Sequence, residues 1–92
     1  MTTRATHVIG KPVVSADTGR KLGTVDDLLL DDSGRALIGL VVRHGVLRHE
    51  EVLSADQVQS LGTDAVVSRS DRLITAKEWH ELHPNRGDAR AK

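Results

Sequence analysis

Cysteine is absent from this 92-residue chain, which excludes a disulfide framework, a thiolate nucleophile and a cysteine-based zinc site. Phenylalanine and tyrosine are absent too, and the only aromatic residue is Trp79. Single-stranded nucleic acid is commonly held by stacking bases on aromatic rings, so this chain lacks the usual platform. Neither sign of charge is in excess. Lys plus Arg number 13, Asp plus Glu number 13, and the pI is near 7.0. Phosphate neutralisation supplies most nucleic-acid affinity, so this balance argues against such a partner and leaves room only for a local basic patch. No apolar run approaches the roughly 20 residues a membrane-spanning helix needs. The start, MTTRATHVIG, has no apolar run of the signal-peptide kind. The expectation is a cytoplasmic chain with no membrane insertion.

What is present is aliphatic. Val, Leu and Ile number 11, 11 and 3, enough for a modest core in one domain. The high Val count favours strands, because branching at Cβ suits a pleated surface. The stretch from Gly10 to Asp31 reads as two extended runs joined at Asp17-Thr18-Gly19, where Asp closes a turn and Gly supplies positive φ. His7 to Ser15 is the first strand, interrupted at Gly10-Lys11-Pro12; Pro12 cannot donate to a ladder, so the strand is expected to lie at an edge or to begin there. Leu22 to Leu30 is the second. The third and fourth, Arg35 to His44 and Val46 to Leu53, follow the turns at Asp31–Gly34 and His44-Gly45, and Ala65 to Ser70 is a weak fifth.

Two capping boxes stand out. Ser54 with Gln57 predicts one or two turns of helix before Gly62. Thr75 with Glu78, stapled by Ile74 and Trp79, predicts a second helix that Pro84 stops. Trp79 and Leu82 fall three apart on one face, so this helix can dock an apolar edge. Residues 1–6 read as a flexible start, 7–83 as the folded domain and 84–92 as a disordered polar tail. Five to six short antiparallel strands with tight turns and a short C-terminal helix predict a mainly β fold, a small barrel or rolled sheet. In the third strand Leu37 and Val41 point one way, and Ile38, Leu40 and Val42 the other. Only one face can enter a barrel; the Trp79 helix and a second subunit are the candidates to cover the other.

Chemistry-bearing patterns are weak. His80 and His83 are three apart on the predicted helix, and His44 and His49 flank a turn, but a metal site needs three or four ligands with support behind them. His80-Glu81-Leu82-His83 lacks the spacing of a zinc-protease helix. Asp26 and Asp27 are adjacent in a strand and so point to opposite faces, and Asp31-Asp32 suits a turn for backbone reasons. No serine sits in a nucleophile elbow, and Gly19–Gly23 lacks phosphate-loop spacing. No catalytic residue, metal or cofactor is assigned, and the chain does not read as an enzyme. Arg43, His44, Arg48 and His49 form the one local cluster suited to polar contact with an acidic protein or RNA.

The order of elements resembles the PRC-barrel family, small β-barrels named after the H subunit of the photosynthetic reaction centre. The resemblance is carried by Ile9-Gly10-Lys11-Pro12-Val13-Val14, Asp17-Thr18-Gly19 and Leu22 through Asp31. It continues from Gly34 to Val42 and through Val52-Leu53-Ser54-Ala55-Asp56 to Val58, covering about residues 7–70. It implies a PRC-type barrel that works by binding, as an assembly or adaptor domain. The family's reaction-centre and ribosome-maturation members carry a transmembrane helix or an RNA-associated domain that this chain does not show, so neither role transfers directly.

These readings together predict a non-catalytic protein–protein interaction module that associates into a homodimer and meets a protein partner still to be identified. The residues expected at the interface are Leu29, Ile38, Leu40, Val42 and Trp79. Two alternatives stand behind it. One is an RNA- or ribosome-associated assembly factor using the basic cluster; the weaker one is a metal- or ligand-binding sensor using the histidines.

Overall fold

The computed structural model describes residues 6–31, 36–45, 49–82 and 89–90. A 3-10 turn at Thr6–Val8 leads into β1 (Pro12–Ser15), and β2 (Lys21–Leu30), β3 (Leu37–His44) and β4 (His49–Ser54) form a meander. A second 3-10 turn, Ala55–Gln57, precedes β5 (Val58–Leu61), and then come β6 (Val66–Ser68), β7 (Ile74–Thr75), helix α1 (Ala76–Leu82) and β8 (Ala89–Arg90). The sheet runs β5-β6-β1-β2-β3-β4-β7, with β8 added to β2. The mainly β class and the single short C-terminal helix agree with expectation. The strand count is higher than five to six, because β5, β7 and β8 are pieces of two to four residues with no alternating pattern of their own. One pair, β1 with β6, is parallel rather than antiparallel. Val46 and Arg48, expected in the fourth strand, lie outside the described residues, as do residues 1–5 and most of the segment after Pro84.

The turn between β1 and β2 forms at Asp17-Thr18-Gly19, but Ser15, not Asp17, supplies its side-chain acceptor. Ser15 Oγ accepts hydrogen bonds from the backbone N–H of Asp17 (3.2 Å) and Thr18 (3.3 Å), and Gly19 takes φ +76°. That conformation is open to glycine at no steric cost. The predicted helix at Ser54–Gly62 shortens to the single 3-10 turn. Ser54 makes no side-chain cap, and the chain is extended again at Val58 (φ −79°, ψ 118°). Pairing of β5 with β6 through Val58 and Leu61 takes the backbone groups a longer helix would have used.

Inward residues of β1, β2, β3, β4 and β6 meet in one cluster: Val13, Val25, Leu28, Leu30, Leu40, Val42, Leu53 and Val66, with Val8 from the first 3-10 turn. Strands so far apart in sheet order share one cluster only if the sheet rolls up, which is what encloses the core. Two irregularities decide which residues join it. Val25 faces Val42 and Asp27 faces Val41, so Asp26 is an extra residue in β2. Leu29 faces Gly39 and Leu30 faces Leu37, so Ile38 is an extra residue in β3. Each extra residue re-aims the side chains beyond it. The expected face assignment of the third strand is corrected accordingly: Leu37 joins Leu40 and Val42 on the inner side, while Ile38 joins Val41 on the outer side.

Candidate functional site

The outer face of β2–β3–β4 is apolar as well, and α1 lies over it. Leu29, Val41, Val52 and Trp79 form a second buried cluster, with Ile38 and Ile74 half-buried at its margin. Trp79 is only 3% exposed. Its seat is prepared by Gly39: a Cβ there would stand 3.3 Å from the ring's Cη2 and 3.2 Å from Val52 Cγ1. The missing side chain lets the indole lie against the β3 backbone.

The second capping box holds α1 in place as its spacing predicts. Thr75 Oγ1 accepts from the Glu78 backbone N–H (3.1 Å), and Glu78 Oε1 accepts from the Thr75 backbone N–H (3.3 Å). Two N–H groups at the helix start are thereby satisfied. Ile74, the residue before the cap, packs into the Trp79 cluster as a staple should.

A groove of about 390 Å³ opens beside the helix, lined by Val52, Ser54, Asp56, Gln57, Arg72, Ile74, Glu78, Trp79 and Leu82. Its floor is apolar (Val52, Ile74, Trp79), and its polar margin carries both charge signs, Arg72 against Asp56 and Glu78. Leu82, expected to dock with Trp79, instead remains 66% exposed at the groove's rim. It is the last residue of a seven-residue helix, and the indole already fills the contact with the sheet.

The five expected interface residues divide between the two faces. Leu40 and Val42 are fully buried in the chain's own core; their expected outward position is corrected, because the extra residue at Ile38 reverses the faces. Leu29, Ile38 and Trp79 share the outer cluster. Val52, Ile74 and Leu82 complete the surface and were not singled out as interface residues. The signal for Leu82 was its three-residue offset from Trp79; none pointed to Val52, whose strand reads as polar at Glu50-Glu51.

The basic cluster is met by acids where it is described. Arg43 Nη1 lies 3.3 Å from Asp26 Oδ1, and the His44 ring pairs with the Glu51 carboxylate. Arg48 and the His49 side chain lie outside the described residues, although His44 and His49 face each other as backbone partners across β3 and β4. His80 is exposed on α1, and His83 falls outside the described residues. Among the described residues no group of three or more His, Asp or Glu side chains could hold a metal ion. Asp27 is buried, and its Oδ1 accepts from the Leu28 backbone N–H at 2.7 Å. It stabilises the irregular β2 backbone. Asp71, next to the groove residue Arg72, clamps the β1–β2 turn to the loop before β7, accepting from Thr18 Oγ1 at 2.9 Å with Arg20 Nη1 at 3.8 Å. Hydrogen bonds from Ser15 and Thr18, which outweigh an opposing effect of desolvation, hold its carboxyl below the ordinary 3.8, and the nearby Arg20 charge adds to the lowering.

Residues 2–74 match the family model of the PRC-barrel domain. The chain belongs to the PRC-barrel family. PRC-barrel domains are in general interaction and assembly modules without catalytic function of their own. No curated protein matches the chain. No helix among the described residues is long and apolar enough to cross a membrane. The family match ends at Ile74, so α1 and the Trp79–Leu82 surface lie almost wholly beyond it. The groove combines residues within the match, from Val52 to Ile74, with Glu78, Trp79 and Leu82 of α1 beyond it.

Proposed function

We propose that this PRC-barrel domain is a non-catalytic assembly module that self-associates into a homodimer through the groove beside α1. The observation that carries the reading is Leu82, two-thirds exposed at the rim of a groove floored by Val52, Ile74 and Trp79. A two-fold interface joins the same patch on both copies, so the patch must hold both a projection and a matching hollow. This one does: Leu82 projects, and the groove beside it has an apolar floor of Val52, Ile74 and Trp79 within a polar margin. Arg72 with Asp56 and Glu78 places both charge signs on the margin, which suits a surface that meets itself. Fully burying a leucine is worth about 2 kcal/mol, and the symmetric contact makes that gain twice. Much of it is offset by the freedom lost on association, so a dimer that loosens on dilution is expected.

Molar mass by light scattering on the full chain tests this. The native chain is expected to give twice 10.0 kDa at high concentration and to fall toward the monomer on dilution. Leu82→Glu is expected to be folded and monomeric throughout, because its side chain is already mostly in water. A native chain that is monomeric at every concentration, or a Leu82→Glu chain that stays dimeric, would contradict the reading.

A further inference from the structure

The charged residues on the groove margin, Asp56, Arg72 and Glu78, are not equivalent. Glu78 Oε1 is engaged at its own helix start, accepting from the Thr75 backbone N–H at 3.3 Å and from Thr75 Oγ1 at 3.1 Å. Asp56 is held through its backbone carbonyl, which accepts from Arg69 Nε at 3.2 Å. Arg72 is held through its backbone N–H, which donates to Ser70 Oγ at 3.2 Å. Asp56 and Arg72 are both exposed. Among the described residues neither side chain forms an ion pair.

The segments beneath these two charges are tied to each other. The Arg69 backbone N–H donates to the Gln57 carbonyl at 2.8 Å, and Ser70 Oγ donates to Gln57 Oε1 at 2.9 Å. Together with the bond from Arg69 Nε, they fix the turn that carries Asp56 against the loop that carries Arg72. An anion and a cation thus stand in one groove on backbones of set spacing, yet do not pair within the chain. Positions fixed beforehand lower the ordering cost of a contact made on association.

We infer that Arg72 of each copy pairs with Asp56 of the other, and that these two symmetric ion pairs set the register of the dimer. This rests on self-association through the α1 groove. A two-fold operation that brings position 72 of one copy to position 56 of the second also brings 56 to 72, so the contact forms twice. Leu82 and the apolar floor drive association without selecting an orientation, because burial of apolar surface is non-directional. The charges select it. Exposed ion pairs add little strength and are screened by salt, but a register that sets like charges opposite each other is penalised.

Charge reversal in the full chain tests this, read as molar mass by light scattering at a concentration where the native chain is dimeric. Arg72→Glu sets carboxylates against carboxylates at both contacts, and Asp56→Arg sets guanidinium groups against each other. Each variant alone is expected to bind itself about a hundredfold more weakly and to run as a monomer. Mixed one to one, the two are expected to recover twice 10.0 kDa, because both contacts of the mixed dimer then join opposite charges. Variants that each stay dimeric while Leu82→Glu is monomeric reject the ion pairs and leave the groove contact standing. Folded variants that are monomeric both alone and mixed also reject them. A native chain that is monomeric at every concentration rejects both readings. Both positions are exposed, so the fold is expected to survive; should Asp56→Arg unfold, Asp56→Lys takes its place in the same mixture.

Discussion

The inner and outer faces of the β2–β3–β4 sheet are both apolar, but they are sealed by different means. The inner face is enclosed by the sheet's own roll, with β1, β6 and the first 3-10 turn supplying Val13, Val66 and Val8, all fully buried. The outer face is sealed by one side chain on one seven-residue helix, and an open groove with an exposed leucine remains beside it. A roll of strands closes over its core without a partner. A single short helix does not close over three strands, and what it leaves uncovered is the surface on which association is proposed.

Substitutions on the two faces should therefore fail in different ways. Leu40→Ala removes a fully buried leucine at the centre of the inner cluster. It is expected to cost about 3–5 kcal/mol, much of the stability of a small domain, and to weaken all strands together in urea unfolding. Trp79→Ala is expected to cost about 3 kcal/mol, the low end for a buried tryptophan, because the groove beside it gives water a way into the vacated space. Hydrogen exchange should then show α1 and β7 losing protection while β1 and β6 keep theirs. Equal loss in β1 and β6 would mean that the outer cluster is part of the barrel's cooperative core.

A smaller effect is expected at the helix start. Thr75→Ala breaks the capping box and should cost about 1 kcal/mol, seen as a lower urea midpoint with an unchanged slope. The smallest is at Asp71, which belongs to neither apolar cluster. Asp71 has its carboxyl pKa lowered by Ser15, Thr18 and Arg20. A lowered carboxyl pKa gives stability that is present above the unfolded value and is lost as pH falls through the folded one. The clamp between the β1–β2 turn and the Asp71 loop should thus weaken only below the ordinary carboxylate value. Thr18→Ala should raise the Asp71 pKa toward 3.8, measurable by following the carboxyl signal in an acid titration by NMR.

Much of this architecture was legible in local chemistry. Asp17-Thr18-Gly19 announces the first hairpin, although Ser15 and not Asp17 makes its side-chain bonds, and Thr75 with Glu78 and the Ile74–Trp79 staple announce α1, because each of these signals closes within a few residues. The barrel class followed from strand spacing, glycines and turns. What was not legible depends on distant parts of the chain. The extra residues at Asp26 and Ile38 have no signature in runs such as Leu28-Leu29-Leu30, where both faces are apolar and a shift of one leaves the pattern unchanged. Leu40 and Val42 were consequently assigned to the wrong face. The Ser54–Gln57 box resembles the Thr75–Glu78 box in sequence, yet strand pairing of β5 overrides it. The parallel pairing of β1 with β6 and the addition of β8 to β2 join segments more than 50 residues apart, beyond the reach of any local pattern. The groove depends on the position of α1 over β4, so its outline emerges only in three dimensions.

The single tryptophan offers the most direct test of the outer face as an association surface. Its indole N–H gives one resonance with no other indole to confuse it. On serial dilution of the native chain, that resonance is expected to shift progressively as Leu82 of a second copy leaves the groove beside Trp79, and in Leu82→Glu it should stay fixed at the dilute position. An indole signal that does not move with concentration in the native chain would contradict the assignment of this groove as the surface through which the domain associates.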